Sequence, residues 1–247
     1  MTFAPILKHR IFPLPEILDL ILDIGSWGMG THVEIEFAVN MNVPDGRPKE
    51  FALLQIRPLV LGFESGEVDV EKIDPQDVLC ESTRVLGNGA TTDIFDIVAV
   101  DVDRFERART QDVAREVGEL NAKLVGKKHP YVLIGMGRWG SFDPWLGIPV
   151  KWDQIAGASV IVESGFKDID VMPSQGSHFF QNITSFRVGY FTVNPAEGEG
   201  TIDWDWLRKQ TPHASGRFVN HYRFEKPITV RINGRKGKGV IWKPGTG

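Results

Sequence analysis

Two short stretches of the chain carry polar side chains with the chemistry of a metal or phosphate site. VEIEFAVN alternates with a period of two from residue 33, and FALLQIRPL follows it after a Pro-Asp-Gly turn signal. Residues two apart on a strand share one face, at a spacing of roughly 6.6 to 7 Å. Glu34 and Glu36 therefore share a face of the first predicted strand, and Gln55 and Arg57 share a face of the second. If these polar faces coincide, two carboxylates, an amide and a guanidinium converge.

Such a convergence has two interpretations. Carboxylates with open neighbouring positions suit Mg²⁺, which binds one or two protein carboxylates together with waters and substrate phosphates. A guanidinium beside them suits a phosphate oxygen. The alternative is the solvated face of a half-buried hairpin, on which the charges form cross-strand ion pairs.

The residue identities favour the first interpretation, because the hairpin resembles a known motif pair. In the phosphoenolpyruvate synthase and pyruvate phosphate dikinase family, the ATP-grasp nucleotide-binding domain ends with an acidic DIEWA-like strand and an LQxRP strand. Residues 34–38 (EIEFA) and 54–58 (LQIRP) are similar to these strands, in the same order and close together. Phe37 stands where the family usually has tryptophan. The resemblance extends over about residues 1–60.

The resemblance implies roles for the four polar residues. Glu36 would be a Mg²⁺ ligand with Glu34 beside it, and Gln55 and Arg57 would lie at the phosphates of ATP, the substrate. The chain would be part of an ATP-dependent phosphotransferase (a kinase) similar to phosphoenolpyruvate synthase. An ATP-grasp site also needs an upstream lobe with a lysine and a glycine-rich flap. We therefore expect upstream domains of a longer chain as partners, and this chain alone to be inactive.

Residues 61–247 are similar to the C-terminal ends of long synthase-like proteins of this group and bring no assigned catalytic residues. The sequence thus predicts two parts: residues 1–60, the C-terminal segment of an ATP-grasp-like domain, and residues 61–247, an α+β domain of unknown role. The alternative is a non-catalytic regulatory or docking module. Its hairpin would be a structural relic, and a glycine turn at residues 135–140 would bind an anion or a partner.

That turn reads Gly135-x-Gly137-x-x-Gly140 directly after a predicted buried strand. The pattern invites a dinucleotide site, with Glu163 at the end of the next strand as the ribose acceptor. Such a site needs a helix that opens at the glycines. Pro144 and Pro149 would break that helix, so the sequence argues against a dinucleotide site.

Two interpretations of the glycine turn remain. Arg138 and the amides around Gly135 and Gly137 could hold an anion in a backbone nest. The turn could instead be purely structural and let Trp139 and Trp145 pack.

A histidine supplies the remaining catalytic candidate. The dikinase family carries its phosphoryl group on a histidine in a TSH-like segment, to which Gly176-Ser177-His178 is faintly similar. Histidine suits nucleophilic catalysis near neutral pH. The family's small residues after the histidine are replaced by phenylalanines, which favours a packed, hydrogen-bonded His178 as the alternative. His213 and His221 have no spacing typical of a metal site.

The elements that must position these residues mix helices and strands without strict alternation, which predicts an α+β fold. FPLPEILDLILDIGSWG predicts a helix before the hairpin, and the clearest helix is RFERARTQDVAREVGELNAKLVG. VLCESTRVL and DIFDIVAVDV predict strands on either side of a GNGATT turn. TIDWDWLRKQT predicts a short helix capped by Thr201 or Asp203, and a basic turn at residues 234–239 joins the last strands.

Composition limits the class of protein. The 247 residues are 42% hydrophobic and 24% charged, as in ordinary globular proteins. A net charge of −4 gives no basic field to recruit nucleic acid or an anionic membrane. The single cysteine, Cys80, fits a reducing compartment, and no signal peptide or membrane span is predicted, so we expect a cytoplasmic protein. The sequence leaves a homo-oligomer open.

Overall fold

The computed structural model describes residues 11–29, 33–44, 46–58, 74–165 and 188–246. The chain divides into two compact units, residues 1–61, here called the hairpin unit, and residues 62–247, here called the sheet unit. Their elements form a mixed α+β fold with one curled, half-barrel sheet, so the predicted α+β class is confirmed. The ATP-grasp assignment stays a prediction. Among the described residues, no helix has the length and apolar character needed to cross a membrane.

The hairpin unit consists of helix α1 (Leu14–Met29), strand β1 (Val33–Asn40) and strand β2 (Glu50–Pro58). The helix begins with Pro15 in its first turn, where proline costs no hydrogen bond. It packs closely on the hairpin at Gly25, because a Cβ there would lie 2.3 Å from Cδ1 of Ile56. The strands pair antiparallel, with a bulge between Glu36 and Phe37.

The sheet unit is built on a ten-stranded sheet with the order β11-β3-β14-β13-β5-β6-β9-β10-β4, and β12 pairs with β13. The pairs among β5, β6, β9 and β10 are parallel and the other pairs are antiparallel. A separate parallel pair joins β7 to β8. The strands are β3 (Val78–Ser82), β4 (Arg84–Leu86), β5 (Asn88–Val100), β6 (Tyr131–Met136), β7 (Arg138–Trp139), β8 (Gly147–Ile148), β9 (Ala158–Ser164), β10 (Gly189–Val193), β11 (Thr201–Ile202), β12 (Ala214–Ser215), β13 (Val219–Asn233) and β14 (Lys238–Trp242).

The sheet curls until strands near its two ends meet. Ser82 of β3 donates a side-chain hydrogen bond of 2.5 Å to the backbone carbonyl of Thr192 in β10. These strands are second from opposite ends of the strand order. The predicted strand VLCESTRVL is in fact two strands that separate at Thr83 and lie at different places in the sheet. The prediction of a turn at GNGATT is also wrong, because most of this segment belongs to β5. Within it, Gly89 has a φ of 127° and pairs with Ile232.

Each face of the sheet has its own core. Helix α2 (Thr110–Gly126) connects β5 to β6 and buries Val113, Val117 and Leu124, at the spacing of one helical stripe. The core beneath it includes Trp139, Ile155 and Tyr190.

The other face of the sheet packs a second core, which contains Cys80, Phe191 and Ile241. Helix α3 (Trp204–Arg208) adds Leu207 to it. Asp203 caps this helix by accepting a hydrogen bond from the amide of Trp206. Of the two predicted caps, Thr201 and Asp203, the structure therefore confirms Asp203.

Candidate functional site

The hairpin brings the four predicted polar residues onto one face. Glu34 lies opposite Arg57 in the strand register, and Glu36 lies opposite Gln55. Directly opposite residues of an antiparallel pair point to the same side of the sheet. The convergence of two carboxylates, an amide and a guanidinium that the sequence suggested is therefore present. The bulge follows Glu36 and leaves this register intact.

The guanidinium of Arg57 is held at one end and unsatisfied at the other. Its Nε forms an ion pair with the Glu34 carboxylate, and the two side chains are 23% and 42% exposed. Its Nη1 is buried and has no hydrogen-bond partner among the described residues. A buried donor without an acceptor costs about 1–3 kcal/mol.

The carboxylates fit Mg²⁺ as a partial set of ligands. Within the described residues, no group of three or more His, Cys, Asp or Glu side chains could hold a metal. Mg²⁺ bound with a nucleotide needs fewer, since waters and phosphates complete its octahedron. Glu34 is engaged by Arg57, whereas Glu36 is exposed. Glu36 is therefore the carboxylate better placed to bind Mg²⁺.

The helix of the hairpin unit exposes a stripe of large apolar side chains. Leu20, Ile24 and Trp27 are 61%, 60% and 88% exposed. Their spacing of four and three residues puts them on one side of α1. Contiguous exposed apolar surface of this kind is typical of a contact surface for another protein or domain.

The assignment of Gly135, Gly137 and Arg138 to an anion nest stays a prediction, and the hydrogen bonds of the turn argue against one that uses the amides of residues 137–140. Every amide from residue 137 to residue 140 already donates 2.8 Å to a protein acceptor, so none is free for an anion. The acceptors are the carbonyl of Ser164 for Gly137, the carbonyl of Leu146 for Arg138, a carboxylate oxygen of Glu163 for Trp139 and the carbonyl of Ile148 for Gly140. The turn continues as β7 and opens no helix, as the prolines predicted.

The packing of one tryptophan explains the glycine turn. A Cβ at Gly135 would lie 2.2 Å from the indole ring of Trp139, which is buried. Glu163 is fully buried and also accepts the hydroxyl of Tyr190, so it is not available to a ribose. The structural interpretation of the turn is right for Trp139 but wrong for Trp145, which is 61% exposed beneath the guanidinium of Arg107.

His178 lies outside the described residues, so its assignment as a phosphohistidine stays a prediction.

A second polar centre, which the sequence analysis missed, lies in the sheet unit around Asp96. This carboxylate is almost fully buried; its oxygens lie 2.7 Å from Nε2 of His221 and 2.6 Å from Nη1 of Arg223. The same Nη1 lies 2.7 Å from Nδ1 of His129. Burial alone would raise the pKa of Asp96, but the hydrogen bonds from His221 and Arg223 and the charge of Arg223 hold it below its usual value.

An open pocket of about 440 Å³ adjoins this centre. The ring of His213 meets that of His221 edge-on, with centroids 5.2 Å apart. The sequence signal that could have revealed this centre is Asp96 itself, an acidic residue in the middle of the apolar run DIFDIVAV. The pocket is lined by Phe95, His213, Arg223, Phe224 and Glu225.

Comparisons with known proteins do not place the chain in a family. No family model matches it, and neither the curated proteins nor the solved structures contain a match. The relationship to the phosphoenolpyruvate synthase family therefore rests on the hairpin motifs and is a proposal.

Proposed function

We propose that the hairpin unit contributes Mg·ATP-binding residues to an ATP-dependent phosphotransferase similar to phosphoenolpyruvate synthase. The observation that carries the proposal is the shared face of Glu34, Glu36, Gln55 and Arg57. This is the arrangement that the resemblance to the last strands of an ATP-grasp domain requires. The partly exposed guanidinium of Arg57 is a group suited to a phosphate oxygen.

Each side chain would have a distinct task. Bound Mg²⁺ would supply positive charge against the phosphates of ATP. Glu36 would orient the ion, with Glu34 holding the guanidinium of Arg57 in place. Arg57 and Gln55 would donate to phosphate oxygens. In this class of reaction, the protein contributes positioning and electrostatic stabilisation more than covalent chemistry.

The proposal requires upstream domains of a longer chain to complete the nucleotide site. The exposed stripe of Leu20, Ile24 and Trp27 offers such a domain an apolar contact surface. Without the upstream lobe, we expect this chain to bind Mg·ATP weakly and to turn over none of it. The partners are thus ATP and the missing lobe, and the acceptor of the phosphoryl group would bind elsewhere in the intact enzyme.

Calorimetric titration of Mg·ATP into the chain tests the proposal. We expect Glu36→Ala and Arg57→Ala each to weaken binding by at least about tenfold, which is about 1.4 kcal/mol. Glu50→Ala is the matched control, because Glu50 lies at the far end of the same hairpin and contacts Asn40. If the chain alone binds nothing, an ATP-grasp lobe added in trans should restore binding that depends on Glu36. Equal affinity in all four proteins would contradict the proposal.

The same titration distinguishes the enzyme proposal from the alternative function, a non-catalytic regulatory or docking module. In its anion site at residues 135–140, the amides of residues 137–140 already donate to protein acceptors. What supports it is the exposed apolar stripe, which a docking module also requires. Binding of Mg·ATP that is lost in both hairpin variants would exclude a relic hairpin.

A further inference from the structure

The pocket beside Asp96 has the properties of a second ligand site, which is independent of the function proposed for the hairpin. It lies in the sheet unit, and its lining combines a cation, an imidazole and two aromatic walls: Arg223, His213, Phe95 and Phe224. Glu225 lies in the same lining and is exposed.

Arg223 is held in position before any ligand arrives. Its Nη1 contacts the buried carboxylate of Asp96 and Nδ1 of His129. The rest of the guanidinium makes no hydrogen bond or ion pair with the described residues, and the side chain is 36% exposed. An arginine fixed at one nitrogen loses little conformational entropy when its other nitrogens bind an oxyanion.

Histidine rings surround the charged pair of Asp96 and Arg223. Asp96 and Arg223 offset each other, and Glu225 adds a negative charge at the surface. Three imidazoles surround this pair: His221 and His129 contact it, and the exposed His213 meets His221 edge-on. Their ring nitrogens supply further hydrogen-bonding groups beside the guanidinium.

We propose that this pocket binds a small oxyanion, a carboxylate or a phosphate group, between Arg223 and His213. The apolar faces of Phe95 and Phe224 exclude water from one side of the ligand, which strengthens the charged contacts. Asp96 and His221 act through Arg223 and His213 as positioning residues.

NMR of the histidine ring resonances, with titration of inorganic phosphate and of acetate, tests the inference at matched ionic strength. We expect the ring signals of His213 and His221 to shift with a saturable dependence on anion at about pH 6. The two anions distinguish the ligand class, since the tighter one identifies phosphate or carboxylate as the preferred group.

Four variants locate the site. Arg223→Gln should weaken binding by at least about tenfold. His213→Ala should weaken binding several-fold, and Glu225→Gln should strengthen it by removing a negative charge from the pocket lining. Arg231→Gln is the control, because Arg231 lies on the same strand but stacks on Trp242.

The inference is tested even if Arg223→Gln fails to fold, because His213 and Glu225 are exposed and their substitution leaves the core intact. The absence of saturable shifts with both anions at about pH 6 would overturn it. So would affinities that are the same in His213→Ala, Glu225→Gln and the Arg231→Gln control.

Discussion

Glu34 and Arg57 lie opposite each other across the hairpin and form an ion pair on its polar face. Because the Glu34 side chain is 42% exposed, the pair should add no more than about 1 kcal/mol to stability. We expect Glu34→Gln to lower the free energy of unfolding in urea by less than about 1 kcal/mol. Glu36→Gln, an exposed neighbour on the same strand, is the control. A loss of more than about 2 kcal/mol would show that the pair is structural.

The contact between α1 and the hairpin predicts opposite effects for two glycines of the helix. Alanine normally stabilises a helix by about 1 kcal/mol relative to glycine. At Gly25, however, the added Cβ would lie 2.3 Å from Ile56 and 2.9 Å from Val33, and overpacking costs about 1–3 kcal/mol. Gly25→Ala should therefore lower the melting temperature of the hairpin unit. Gly28→Ala, with no atom within 4 Å of its Cβ, should raise it. If both variants raised it, the described packing of α1 would be wrong.

The elements that could be predicted from the sequence are those with a strong local pattern. The stripe of Val113, Val117 and Leu124 predicted α2, and Asp203 was one of the two predicted caps of α3. The alternation in residues 33–40 placed Glu34 and Glu36 on one face. Each of these patterns depends on neighbours within four residues, and the physics of helices and strands is visible at that range.

The features that the sequence did not predict depend on contacts between distant residues. Asp96 meets Arg223 and His221 because β5 and β13 are neighbours in the sheet. In sequence, Asp96 is 127 residues from Arg223 and 125 residues from His221. The amides of residues 137–140 donate hydrogen bonds to β9 and to residues 146–148. No local sequence pattern predicts these contacts. A motif such as Gly135-x-Gly137 fixes the backbone conformation, whereas the surrounding strands decide which groups remain free.

The buried carboxylate of Asp96 predicts a pH-dependent loss of stability. Because its pKa is lower in the folded protein than in the unfolded chain, its ionised form stabilises the fold above about pH 4. That contribution is lost as the pH falls through the folded pKa. Asp96→Asn should lower the free energy of unfolding by about 1–3 kcal/mol near neutral pH, because buried hydrogen bonds to the carboxylate are lost while Arg223, 36% exposed, keeps access to water.

The difference between this variant and the unmodified protein should shrink as the pH falls below about 4. Asp93→Asn, an exposed position on the same strand, should show no such trend. Thermal unfolding measured across this range provides the check. A difference that stays constant with pH would mean that the Asp96 carboxylate is not what stabilises the centre.

Cys80 reports on the integrity of the sheet unit. It is fully buried, and burial together with the nearby Glu81 charge raises the pKa of its thiol far above the ordinary value. Thiol reagents attack the exposed thiolate, so labelling of the native protein should require opening of the sheet. Labelling with and without denaturant measures this. Thr201→Cys, at an exposed position opposite Glu81, should react rapidly in the native state. Equally rapid labelling of Cys80 would contradict the described core.

The buried carboxylate of Glu163 ties the glycine turn to β10. It accepts the amide of Trp139 and the hydroxyl of Tyr190. Glu163→Gln retains the volume but replaces one accepting oxygen with an NH₂ group, so one of the two hydrogen bonds is lost, at a cost of about 1–3 kcal/mol. We expect both Glu163→Gln and Tyr190→Phe to destabilise the sheet unit in urea, and the double variant to lose less than the sum of the two. Arg138→Gln, in the same turn, changes no such contact and is the control. Additive effects of the two substitutions would show that Glu163 and Tyr190 stabilise the unit independently.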